Sequence, residues 1–121
     1  MAYSCLFLVV VGCAVERMEV ADSDALETVP EHPTYSKNTK EILDTWCVSC
    51  HGEEPTGDSP DTFRLDVYAN EGDVRGAYAM AEMIAITATS SAGSMPPSGG
   101  AKPTDLERAT LLAWVDDGAP E

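Results

Sequence analysis

Cys47-Val48-Ser49-Cys50-His51 gathers two thiols and an imidazole into five consecutive residues. Two cysteines separated by two residues, with a histidine directly behind the second, form the C-x-x-C-H pattern of covalent haem attachment. The chemistry demands this spacing. Each sulfur adds to one vinyl group of the porphyrin, and His51 then directs its imidazole at the iron as the proximal ligand. Other uses of the same residues are less complete. A thioredoxin-like dithiol needs C-x-x-C beside a βαβ pattern, which the chain lacks. A structural zinc site needs four ligands, and only Cys47, Cys50 and His51 cluster, with His32 a poor fourth. A plain disulfide is the remaining competitor. Haem attachment uses all three residues at the spacing they have, so one haem c and its iron are the expected cofactor.

A second axial ligand must come from elsewhere in the chain, and Met18, His32, Met80, Met83 and Met95 compete for the role. Met95 stands before Pro96-Pro97, which stiffen the backbone in a non-helical conformation and leave its side chain little freedom to wander. Met80 and Met83 fall in a helical stretch, where methionine usually serves as adaptable core filling. Met18 and His32 lie in or beside an acidic linker. The expected iron ligands are therefore His51 and Met95.

These residues need elements to position them. Ser36 suits an N-cap, and Tyr35, Ile42, Leu43 and Trp46 recur at helical spacing, so a first helix is expected over about Lys37–Cys47, leading into the C-x-x-C-H turn. Gly52–Asp61, with Pro55, Gly57 and Pro60, reads as a loop. Phe63–Tyr68 alternates apolar and polar residues. The period alone suggests a strand, and an extended segment crossing one edge of the haem fits it equally; with no pairing partner in view, little or no sheet is expected. Arg64, within it, is available to a haem propionate, against the default of a solvated side chain. A second helix is expected within Val74–Thr87, with Val74, Ala77, Tyr78, Ala81, Ile84 and Ala85 on one face. The last helix carries the clearest signals. Thr104-Asp105-Leu106-Glu107 is a capping box, the buried face is drawn from Leu106, Ala109, Leu112 and Ala113 with Leu111 and Trp114 beside it, and Gly118 and Pro120 close it. The two tryptophan-bearing helices are expected to pack together.

The 121 residues suffice for one small domain, and an aromatic content of 7% is low for an unaided core. A covalently held macrocycle would add apolar bulk and act as a staple. The formal net charge is −14, with only seven Lys and Arg. That disfavours nucleic acid and anionic membrane surfaces, which are bound through basic side chains, and leaves a basic face on a redox protein partner as the electrostatic expectation. The acidity also serves solubility.

Tyr3–Val15 is almost wholly apolar and uncharged, shorter than the roughly 20 residues needed to span a bilayer, and ends in small residues, which reads as an export signal. Val10-Val11-Gly12-Cys13 resembles a bacterial lipobox, so Cys13 is the expected lipidation site, although no Lys or Arg precedes the apolar run. An ordinary signal peptide cut elsewhere and a buried N-terminal strand are the alternatives. Glu16 to Pro33 is acidic and proline-punctuated, a tether that cannot bury enough apolar surface to offset its ordering entropy. The expected organisation is a leader over 1–12, an acidic tether over 13–34 and a folded domain over 35–121.

The order of a helix, Cys47-x-x-Cys50-His51-Gly52, a middle helix, Met95-Pro96-Pro97 and a final helix with Trp114-Val115-x-x-Gly118-Ala119-Pro120 resembles the single-haem class I cytochrome c domains of bacterial exported proteins. The resemblance covers roughly Tyr35 to Pro120. It implies an all-α fold of about three main helices around one haem c, with His51 and Met95 on opposite faces of the ring. It also implies electron transfer rather than catalysis, on the periplasmic side of a membrane. The small-residue loop before Met95, the acidic tether and the uncharged leader depart from the pattern. The enzymatic alternative is a haem peroxidase, or a ligand-binding haem domain with an open distal site. Peroxidases of this kind generally couple two haems, and the chain has one attachment motif.

Overall fold

In the computed structural model, which describes residues 27–97 and 99–121, the chain is helical. A π-helical turn, Tyr35–Thr39, runs straight into α1 (Lys40–Trp46), and α2 (Val48–His51) follows after a break at Cys47. Farther on come α3 (Ala77–Ala88) and α4 (Asp105–Asp116). No strand occurs among the described residues, only isolated bridges between Phe63 and Arg75 and between Glu71 and Val74. The all-α expectation holds, and Phe63–Tyr68 is an extended segment rather than part of a sheet. The leader and the first part of the tether, over 13–26, lie outside the described residues. Within the remainder of the tether, Pro33 is fully buried.

The first helix begins earlier than its local signals suggest. Ser36 is inside it, and the N-cap is Thr34, whose side chain makes no capping bond. The start is stabilised in two other ways. Asn38 Oδ1 accepts from the Thr34 amide at 3.1 Å, and the Tyr35 amide donates 2.8 Å to the carbonyl of Pro120, at the far end of the chain. The Pro120 carbonyl also accepts from Trp114 Nε1 at 2.8 Å, while the Ala119 carbonyl accepts from the Tyr68 hydroxyl at 2.8 Å. The closing Gly118-Ala119-Pro120 turn is thus a junction where the first helix, the extended segment and α4 meet.

Gly76 is the N-cap of α3, and its lack of a side chain is required: a Cβ there would lie 2.4 Å from the carbonyl oxygens of both Tyr68 and Ala69. Val74 precedes the helix, paired with Glu71, and so does not join its apolar face. Tyr78, expected inside, is exposed, with its ring lying 5.5 Å from that of Tyr68. In α4 the capping box forms as expected, Thr104 Oγ1 accepting from the Glu107 amide at 3.2 Å and Glu107 Oε2 accepting from the Thr104 amide at 2.7 Å. Its buried side is centred on Leu111 and Trp114, while Leu112 faces solvent. The stripe is rotated from the expected one because α4 lies against both α3 and the Tyr35–Thr39 turn.

Leu43, Ala77, Leu111 and Trp114 form the innermost part of the core, with Tyr35, Leu65, Met80 and Ile84 around them. The opening and closing helices do pack together, but through Tyr35 and Trp114, whose ring centres are 6.4 Å apart. Trp46 lies beside Cys47 at the edge of a groove and also approaches Glu107 of α4. The Tyr35 hydroxyl donates to the Leu65 carbonyl at 3.0 Å, and burial pushes its pKa up to about 12. It therefore stays a neutral donor inside the core.

Candidate functional site

The C-x-x-C-H residues are presented by a break between two helical pieces. Cys47 ends α1, its amide still bonded to the Leu43 carbonyl at 2.8 Å, and its own carbonyl accepts from Cys50 at 3.1 Å and His51 at 2.9 Å. The turn thus closes on itself through Cys47. Gly52 then lets the chain leave in an extended conformation, and a Cβ at that position would sit 2.6 Å from the Val48 carbonyl oxygen. The His51 carbonyl accepts from the Leu65 amide at 2.7 Å, which ties the turn to the extended segment. Phe63, on that segment, stacks on the His51 imidazole with ring centres 4.7 Å apart and planes 29° from parallel.

Two adjoining cavities, of about 280 Å³ and 380 Å³, have Cys47, His51, Pro60 and Met95 in common in their walls and so form one groove. The smaller part is bounded by Trp46, Cys50 and Pro96, and the larger by Phe63, Leu65, Met80 and Ile84. Cys47, Cys50, His51 and Met95, separated widely in sequence, therefore share one largely apolar hollow. Met95 reaches it from the loop after α3, where its amide donates 3.0 Å to the Thr87 carbonyl. Met83 also lines the larger part, from a half-exposed position on α3. Met80 is buried in the core beneath it. His32 is remote from the groove: its ring is exposed and lies 3.4 Å from Asp117. Cys13 and Met18 lie outside the described residues.

The titratable groups of the turn differ sharply. Burial lowers the pKa of His51, so its imidazole is held neutral, the form in which histidine binds a metal. Its Nδ1 is fully buried with no hydrogen-bond partner. Cys47 packs against the core, and burial, reinforced by the neighbouring Cys50, pushes its thiol up to about 11. Cys50 moves the other way, because hydroxyls of Thr56, Ser49 and Ser59 around its sulfur favour the thiolate. Both thiols are free. Among the described residues no three His, Cys, Asp or Glu side chains converge as a metal site would require. Of these residue types among the described residues, only Cys47, Cys50, His51 and Asp58 line the groove, together with Met95.

Arg64, the arginine weighed for a propionate from the sequence, and Arg75, which the sequence does not single out, have different surroundings. Arg64 is engaged by carboxylates, pairing with Asp66, with Glu71 at 2.9 Å and with Glu53 at 4.0 Å. Arg75 instead lines the groove, and no carboxylate among the described residues pairs with it. Nothing local marks this difference, since both arginines flank turns in a polar stretch. The stacking of Phe63 on His51 is the other feature that local reasoning misses, although the segment carrying Phe63 is weighed for a haem edge. Its only signal is the alternation that places Phe63 on the same side of the segment as Leu65. Comparisons with protein-family models, with curated proteins and with solved structures find no match to this chain.

Proposed function

We propose that this chain is an electron-transfer protein with a cytochrome c-like fold that carries one covalently bound haem c. The observation that supports it most is the convergence of Cys47, Cys50, His51 and Met95 on one apolar groove. The residues fit the group in three respects. The groove is walled by aliphatic, aromatic and proline side chains, as a flat apolar macrocycle requires. The imidazole is neutral and held by Phe63, ready to act as a ligand. A thioether from Met95 is available in the same hollow. Each thiol S–H would add across a vinyl group, forming one carbon–sulfur and one carbon–hydrogen bond, so no oxidant is needed. Arg75 lines the groove and would pair with a propionate.

When bound, the haem supplies iron that cycles between ferrous and ferric states. The chain's own residues would do the rest. Phe63, Leu65 and Ile84 exclude water from the groove, which favours the less charged state and limits reorganisation around each electron. A neutral thioether from Met95 also favours the ferrous state and raises the reduction potential. With a net charge of −14, the chain suits a redox partner with a basic docking face. Export and acylation of Cys13 complete the reading, anchoring the domain at the periplasmic side of a membrane. Detergent partitioning of wild type and of Cys13→Ser tests that part.

The central test is attachment. Matured in a host with a haem c assembly system, the denatured wild type should keep its haem through acidic organic extraction, and Cys47→Ala/Cys50→Ala should release it. A double variant that still retains haem after extraction would end the thioether assignment.

A further inference from the structure

Arg108 projects from the inner side of α4 and is only 6% exposed, yet no carboxylate among the described residues pairs with it. Its Nε and one of its two terminal nitrogens bond to backbone carbonyls. Nε donates 3.3 Å to Pro103, and one terminal nitrogen donates 2.7 Å to Ser90 and 3.4 Å to Ala88. These carbonyls lie at the two ends of one loop. Ala88 is the last residue of α3 and Ser90 follows closely, while Pro103 directly precedes the N-cap of α4. Met95 is carried between them.

A buried guanidinium is costly unless its donors are satisfied, so these bonds are the condition of its burial. The carbonyls at the end of α3 are left without helical partners and carry the negative end of the helix dipole, which suits a cation. The rigid fork of arginine presents donors in several directions at once and can reach both ends of the loop, whereas lysine offers a single compact ammonium. Fixing the two ends restricts the conformations open to the chain between them.

We propose that Arg108 is a positioning residue, the clasp that holds both ends of the 89–104 loop and so fixes where Met95 enters the groove. The inference rests on the reading of Met95 as an iron ligand. The bond from the Met95 amide to the Thr87 carbonyl is the inner tie of the same loop, and the clasp protects it.

The test uses the full chain, matured with haem, as wild type, Arg108→Met and Arg108→Lys. Amide hydrogen exchange followed by peptide is the primary readout. Arg108→Met should speed exchange in the 89–104 loop by about tenfold or more while leaving the Phe63–Tyr68 segment and α1 within about twofold of wild type. The sulfur-to-iron charge-transfer band of the oxidised protein should weaken and should vanish at a lower temperature. Arg108→Lys should restore neither loop protection nor the band in full. It also provides the comparison if the methionine variant does not mature. Uniformly faster exchange across the molecule, an unchanged loop, or full rescue by lysine would each overturn the clasp. A wild type that lacks the band overturns the ligand reading of Met95 and its positioning, while the exchange comparison still decides whether Arg108 clasps the loop.

Discussion

Met95 and Met83 both reach the groove, and their backbones separate them. Met83 projects from the middle of α3 with 51% of its surface exposed, whereas Met95 is held on a loop by its amide bond to Thr87 and enters both parts of the hollow. Met95→Ala is therefore expected to abolish the sulfur-to-iron band and lower the reduction potential, and Met83→Ala to preserve both at a cost below about 1 kcal/mol. Met80→Ala should leave the band in place but destabilise by about 2–5 kcal/mol, because Met80 is buried in the core. Absorption spectra and urea unfolding of the three matured variants check this set. A band that survives in Met95→Ala would make an open-site haem with ligand-binding or peroxidase activity the better reading. At this scale Cys47, Cys50, His51 and Met95 could be singled out from the sequence by the attachment-motif spacing and the Met-Pro-Pro run, and the fold brings all four to one groove. Arg75 and Arg108 could not, because which side of a turn or helix meets a groove is decided by tertiary packing. Arg108 did leave one trace, a charge three residues before Leu111 on the same side of the last helix.

Among the elements, α4 shows what local signals can settle. Its capping box satisfies amides of its own first turn, so the start at Asp105 could be read from neighbouring residues alone. Thr104→Ala removes the bond that the threonine hydroxyl accepts from the Glu107 amide and should cost about 0.5–2 kcal/mol, seen as a lower urea midpoint with an unchanged slope. The first helix shows the opposite case. Its start is displaced from Ser36 because the Tyr35 amide finds its acceptor at Pro120, a partner no local window contains. Trp114→Phe tests that long-range junction. It removes one of the two donors to the Pro120 carbonyl and leaves a small void, and it should destabilise by about 2 kcal/mol. Exchange at the Tyr35 amide should rise together with that of α4, although the two are remote in sequence. Rotation of the buried stripe of α4 from Leu112 to Leu111 and Trp114 has the same origin. Two elements press on that helix, and periodicity alone cannot weigh one against the other.

For the molecule as a whole, a net charge of −14 makes stability a balance between general repulsion and specific pairing. Falling pH relieves the repulsion as exposed carboxylates take up protons, but it also attacks the partly sheltered pair of Arg64 and Asp66. Asp66 and Arg64 have side chains only 21% and 17% exposed, whereas Glu71 and Glu53, at 56% and 80%, pair with Arg64 across solvent and are screened. The hydrogen bonds from the Arg64 guanidinium hold the Asp66 carboxyl below the usual aspartate range, although burial opposes them. The unfolded chain therefore binds more protons at Asp66 than the folded one does in the window between that depressed value and about 3.9. The stability from this group is complete above the window and is lost as pH falls through it. Asp66→Asn should lower the urea midpoint at neutral pH, and the gap from wild type should stay constant down to about pH 5 and then close on further acidification. Taking the difference between the two proteins at each pH cancels the repulsion common to both. A gap that persists unchanged down to about pH 2, below the usual aspartate range, would assign the loss to packing or hydrogen-bond geometry instead of to the charge of Asp66.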